Sequence, residues 1–247
     1  MIKGILFDKD GTLFDFGASW SVWAVALLED LSGGDRASSV RLASLIGFDL
    51  SRGVFLPDSF VISGTSDQIV EALLPGLPGA NGAALLQRIN RAAAETRMVP
   101  AVPLAPLLKV LSDRGLRLGV ATNDAEAPAR AHLKVAGITD HFEFVAGYDT
   151  GHGAKPDAGM CLAFADHLGV APHDCVMVGD SLHDLHAGRA AGMISVAVLT
   201  GMADAATLAP YAEVVLNDIG GLPEWLDARQ ANNPDHPRQK TTQSVAI

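Results

Sequence analysis

Short apolar runs alternate with helical periods along the second half of the chain. Residues 116–121, 142–146, 175–178, 194–199 and 214–216 are apolar runs of strand length. Between them, residues 104–114, 125–136, 157–168 and 183–191 carry helical patterns. Gly137, Gly169 and Gly192 stand just past three of these helices, where a left-handed residue closes a helix. Ile5-Leu6-Phe7 forms one more short strand near the start. Apolar strands separated by helices predict an α/β, Rossmann-like parallel sheet covered on both faces. In such a sheet the site lies beyond the carboxyl ends of the strands.

Residues 16–96 break that alternation. They hold helical periods at 20–31, 38–46, 66–74 and 83–97, separated by turns containing Gly33-Gly34, Pro57-Asp58 and Pro75-Gly76 through Pro78-Gly79. The pattern predicts a small, mainly helical domain inserted after the first strand. The core is then 1–15 with 97–230, and the chain crosses near Phe16 and again near Met98-Val99-Pro100. Residues 231–247 are polar and interrupted by proline, which predicts a disordered tail.

Composition narrows the class. At 247 residues and 49 % apolar content the chain can bury a sizeable core. A net charge of −10 argues against a nucleic-acid partner, which demands a basic surface. A small phosphate ester stays compatible, since one lysine and a metal ion supply local positive charge. Cys161 and Cys175 have no metal-ligand spacing and are expected to be reduced thiols. The first strand begins at once, and no apolar run reaches membrane-span length. The expectation is a cytoplasmic protein without a membrane partner, monomeric or homodimeric.

The chemistry is concentrated at strand ends. Asp8-Lys9-Asp10-Gly11-Thr12-Leu13 follows the first strand directly. Residues two apart on a strand share a face, and two close carboxylates need a cation or a shared proton. Such a pair suits a divalent metal, or a division into nucleophile and acid/base. A solvated turn is the plain alternative. Three further segments argue against it. Gly119-Val120-Ala121-Thr122-Asn123-Asp124 is a strand ending in Thr-Asn. Lys155-Pro156-Asp157 sits in a loop after Gly147-Tyr148-Asp149. Val176-Met177-Val178-Gly179-Asp180-Ser181-Leu182-His183-Asp184 is a strand ending in Gly-Asp-Ser, with a further aspartate four residues on.

In order and character these four segments resemble the motifs of the haloacid dehalogenase (HAD) superfamily, across residues 1–15 and 97–230. The resemblance implies a HAD core with a C1-type helical cap over 16–96, of the phosphoglycolate phosphatase-like kind. It implies a magnesium-dependent phosphatase acting on a small phosphorylated metabolite, a phosphoglycolate-like compound or a sugar phosphate. Asp8 is then the nucleophile that forms an aspartyl phosphate, and Asp10 the acid/base. Thr122 and the main-chain N–H of Asn123 hold phosphoryl oxygens, and Lys155 pairs with them and with Asp8. Magnesium is ligated by Asp8, the Asp10 carbonyl, Asp180 and Asp184, the last directly or through water.

Asp10 argues against the dehalogenase branch, which needs no proton donor there. The absence of lysine from 16–96 argues against the phosphonate-cleaving branch. A phosphomutase shares every motif and stays open. A receiver-like signalling domain is disfavoured by its shorter length and its lack of an insertion. Lys9 is expected to point away from the aspartates, and His183 and His186 to sit on the surface or behind the site. Within the insertion, Arg52, Asp58 and Ser59 are the polar candidates for reading substrate.

Overall fold

The computed structural model describes residues 1–231; the predicted disordered tail lies almost wholly outside them. Strand β1 (Gly4–Phe7) is followed by helices α1 (Phe16–Ser32) and α2 (Arg36–Leu45). A two-stranded hairpin, β2 (Phe48–Asp49) and β3 (Val54–Phe55), comes next, then α3 (Ser66–Leu73) and α4 (Gly82–Ala94). The remainder runs α5 (Leu104–Asp113), β4 (Arg117–Ala121), α6 (Glu126–Val135), β5 (Phe144–Ala146), α7 (Gly159–Leu168), β6 (Cys175–Gly179) and α8 (Leu182–Ala191). It closes with β7 (Ile194–Val198), α9 (Ala205–Leu208), β8 (Val214–Leu216) and α10 (Leu222–Ala231).

Six strands form one sheet in the order β5-β4-β1-β6-β7-β8, every pair parallel. Strand alternation sorts the core. Ile5, Phe7, Val176 and Val178 join a cluster with Leu104, Leu108 and Leu222 on one face. Leu6, Cys175 and Met177 pack with Phe164 and Met160 on the other. Both cysteines are buried and free. With β1 between β4 and β6, the three strand ends that carry Asp8, Thr122 and Asp180 are neighbours. This is the crevice where the strand order reverses, the usual ligand site of an open parallel sheet.

The inserted segment has a core of its own. Trp20, Trp23, Leu27, Leu28, Ile46, Phe48, Phe55, Val70 and Leu73 pack together apart from the sheet clusters. Its helices start where polar caps allow. Asp15, Asp35, Thr65 and Asn81 each accept a first-turn N–H with the side chain. Asp15 thereby starts α1 at Phe16, four residues before the apolar period becomes visible. α4 stops at Ala94, capped at Glu95, instead of reaching Arg97. The hairpin β2–β3 was not expected; it pairs only two residues per strand, too few to show as alternation. The two crossings run side by side, with Asp15 N donating to Val99 O (2.8 Å) and Ala101 N to Leu13 O (3.0 Å).

Candidate active site

β1 ends at Phe7, but Asp8 N still donates to Val178 O at 2.8 Å, holding Asp8 in line with β6. The chain then curls, with Leu13 N and Phe14 N both donating to Lys9 O. Gly11 sits at the curl with φ +83°, and a side chain there would strike the Asp180 carboxyl. Both facts require glycine. Gly201 and Gly179 leave similar room, beside the carboxyls of Asp180 and Asp184 respectively.

Asp8, Asp180 and Asp184 converge. Each offers a carboxylate oxygen, and these lie within 4.8 Å of one another, all three residues buried. Lys155 is the ammonium among them, 2.5 Å from Asp8 Oδ1 and 2.7 Å from Asp184 Oδ1. It also donates to Ala121 O at 2.8 Å. Asp184 divides its oxygens. Oδ2 accepts from Ser181 N and Ser181 Oγ at the start of α8. Oδ1 makes no hydrogen bond and meets Lys155 only as an ion pair.

Three buried carboxylates share one ammonium, and the electrostatics follow. Burial pushes Asp8 up to about 7, against the pull of Lys155 and with Asp184 and Asp10 adding to the rise. Burial and then the charges of Asp184 and Asp8 push Asp180 well above the usual carboxylate range. Lys155 is raised despite burial, because Asp184 and Asp8 outweigh the loss of water. A divalent cation would relieve this excess of negative charge. The donors are hard oxygens without cysteine, which suits magnesium. With the open lone pairs of Asp184 Oδ1, the residues fit that ion. Asp8, Asp180 and Asp184 would hold it, and the Asp10 carbonyl is the further expected ligand.

Thr122 and Asn123 follow β4. Thr122 Oγ1 accepts from Asp124 N at 3.1 Å, leaving its O–H free to donate into the pocket. The Asn123 side chain clamps Lys155 from both sides: Oδ1 accepts Lys155 N (2.8 Å) and Nδ2 donates to Lys155 O (2.9 Å). The same Nδ2 donates to Ser63 O at 2.7 Å, tying the inserted segment to the sheet end. Lys155 is thus set by a loop whose backbone is committed to Asn123. α7 accordingly starts at Gly159 rather than at Asp157.

Lys9 corrects an expectation. Strand alternation does not reach it, because β1 has already ended. Its side chain is fully buried and its ammonium lies 2.7 Å from Asp10 Oδ1 and 3.3 Å from Asp124 Oδ2. His132 Nδ1 is 3.2 Å from it, and His132 Nε2 pairs with Ala93 O at the end of α4. Trp20 Nε1, from α1, also donates to Asp10 Oδ1, at 2.8 Å. Asp10 is therefore placed by a buried lysine and an indole, one from each side of the cleft, and not by strand pleat. Burial holds Asp124 at about 6 and pushes His132 down to about 4, the latter aided by Lys9.

A stability test follows. Lys9→Met leaves one buried and one partly buried carboxylate without their ammonium, at a cost of about 3 kcal/mol, or roughly 6–12 °C in Tm for a chain of this size. Adding Asp124→Asn removes one stranded charge and should recover part of the loss. Calorimetry on the wild type, the single variants and the double variant measures that coupling. Additive losses would mean that Lys9 does not hold the pair together.

The pocket brings together Asp8, Asp10, Thr122, Asn123, Lys155, Asp180 and Asp184, all seven residues named from the sequence. His183 lines it too, whereas His186 does not and packs edge-on to Tyr211. Arg52, Asp58 and Ser59 do not line it. Arg52 and Asp58 are exposed, and Ser59 is buried with Oγ donating to Ile46 O at 2.7 Å. The turn that reaches the pocket comes a few residues later, Val61 to Gly64. Trp20, Asp124 and His132 carried no signal in the sequence; only Lys9, a charge between two aspartates, stood out.

The model of the haloacid dehalogenase-like hydrolases matches residues 2–192. A phosphoglycolate phosphatase of Rhodospirillum rubrum is 31 % identical over 234 residues, 92 % of this chain and 91 % of its own length. One from Chromobacterium violaceum is 33 % identical over 222 residues, 90 % and 95 % of the two chains. The solved structure of a HAD phosphatase from Thermococcus onnurineus superposes with a TM-score of 0.66 at 25 % identity, covering 91 % of this chain and 98 % of the other. Among the described residues no helix is long and apolar enough to cross a membrane. With the four motif segments gathered at the ends of β1, β4 and β6, the chain belongs to the haloacid dehalogenase-like hydrolases.

Proposed function

We propose that the protein is a magnesium-dependent phosphatase that cleaves a small phosphorylated metabolite through an aspartyl phosphate on Asp8. The observation that carries this reading is the buried cluster of Asp8, Asp180 and Asp184 around one ammonium, with Asp10 held separately beside it. Two carboxylates in two environments can take two roles.

Asp8 attacks phosphorus in line as the alcohol oxygen leaves, so the phosphoryl group passes to its carboxylate. Asp10 gives its proton to the leaving oxygen. It then takes one from the water that splits the aspartyl phosphate, returning Asp8 and releasing phosphate. The Lys155 ammonium and the Thr122 hydroxyl stabilise the phosphoryl oxygens from fixed positions. Bound magnesium supplies positive charge that lets an anionic nucleophile approach an anionic ester. Residues 16–96 act as the cap that shuts the cleft and excludes water. The paired crossings at Asp15/Val99 and Leu13/Ala101 are its hinge.

The test is phosphate release from a panel of phosphomonoesters, with magnesium and after exhaustive chelation. Activity should vanish with chelator and return on adding magnesium; full activity in the chelated protein would rule the metal role out. Gly201→Ala gives a second handle. Its methyl group would displace the Asp180 carboxyl, so the magnesium needed for half-maximal rate should rise about 10- to 100-fold, a usual cost of disturbing a ligand's support. An unchanged magnesium titration would show that Asp180 is not a ligand.

A further inference from the structure

The two walls of the pocket differ in character. All the charged side chains lining it come from the sheet side: Asp8, Asp10, Asp124, Asp180, Asp184 and Lys155. The wall supplied by residues 16–96 carries none. It consists of Phe16, Trp20, Trp23, Ile62, Ile69, Ile89 and smaller neighbours, its polar side-chain groups being the hydroxyls of Ser63 and Ser66 and the two indole N–H groups.

This apolar wall begins beside the residue that protonates the leaving oxygen. Trp20 Nε1 donates to Asp10 Oδ1, so an alcohol whose oxygen faces Asp10 continues against the Trp20 indole. Trp23 packs edge-on to Trp20 with ring centroids 5.2 Å apart. Trp23 Nε1 is buried without a hydrogen-bond partner, and one neutral acceptor on the substrate would satisfy it.

Charge excludes the opposite kind of substrate. Lys155, Lys9 and a divalent ion together bring four positive charges. With Asp10 protonated as the acid, the other four lining carboxylates and a phosphate dianion still outnumber them. A second anionic group on the substrate would be buried against apolar rings with no counter-charge, which is strongly unfavourable. His183, the remaining basic side chain on the lining, enters from the sheet side next to Asp184 and not from the wall that meets the alcohol.

Resting on the phosphatase reading, we infer that the substrate is a phosphate monoester of an uncharged, largely apolar alcohol, and not a phosphorylated carboxylic acid.

The experiment measures kcat/KM of the full chain with magnesium on benzyl phosphate, propyl phosphate, 2-hydroxyethyl phosphate and 2-phosphoglycolate. All four leave as alkyl alcohols. The expected order is as written, with benzyl phosphate about 100-fold above phosphoglycolate, a span set by the apolar area buried. The last two share a skeleton and isolate the carboxylate; about a tenfold gap is expected between them. Ile62→Arg places a cation on the apolar wall at a half-buried position. It should raise the ratio of phosphoglycolate to benzyl phosphate rates at least about tenfold. Turnover that favours phosphoglycolate in the wild type, or a ratio unmoved by Ile62→Arg, overturns the inference and leaves the phosphatase reading standing. No turnover of any ester overturns both.

Discussion

Asp8→Asn is expected to fold, to be at least as stable as the parent without metal, and to lose all but about a thousandth of its phosphatase rate. The stability half of that result comes from charge. Asp8, Asp180 and Asp184 lie buried around a single ammonium, and burial already pushes Asp8 up to about 7. An amide removes one of three mutually repelling groups. Its oxygen can still accept from Lys155, which sits 2.5 Å from Asp8 Oδ1. The rate half comes from chemistry, since an amide cannot attack phosphorus. Calorimetry and a phosphate-release assay on the same preparation separate the two. A folded variant that keeps clearly more than a thousandth of the rate would remove Asp8 from the role of nucleophile.

Lys155→Met should do the reverse to stability. It strands three buried carboxylates without their ammonium, and breaking such a buried pair costs about 3–5 kcal/mol. In a chain of this size that lowers Tm by roughly 6–20 °C in metal-free buffer. On the proposed metal reading magnesium would bind only the folded cluster, so it should restore much of the loss by mass action. The variant's Tm is therefore expected to rise with magnesium more steeply than the wild type's. Activity should stay at least about 100-fold down even when magnesium has recovered the fold, because the ammonium also faces the phosphoryl oxygens. A variant that melts like the wild type without metal would show that Lys155 does not organise the cluster. One that regains full rate with magnesium would show that the ammonium is dispensable to the chemistry.

The sequence by itself made the parallel α/β core and the mainly helical insertion after the first strand legible, and its resemblance to the haloacid dehalogenase motifs named the seven residues that line the pocket. The reason is local. Fully apolar strands, helices closed by Gly169 and Gly192, and carboxylates one step past β1 and β6 are all properties of short windows. The sheet order, with β1 between β4 and β6, then makes those ends adjoin. The tertiary structure alone decided what holds each group in place. Lys9 was expected to point away from the aspartates because alternation was extended past Phe7. The chain has already left the sheet there, and Asp124 and His132, distant in sequence, join the adjacent Asp10 around the ammonium. The choice of Arg52, Asp58 and Ser59 as substrate readers likewise rested on polarity. Which turn of the insertion reaches the cleft depends on how α1 to α4 pack, and that packing presents Val61 to Gly64 instead. Asn123 shows the same division. Its place after β4 was legible, but its side-chain bonds to Lys155 and to Ser63 O exist only because two distant loops arrive together. Strand and helix periods are written in neighbouring residues, whereas the partners of a buried charge are supplied by whatever the fold brings within 3 Å or so.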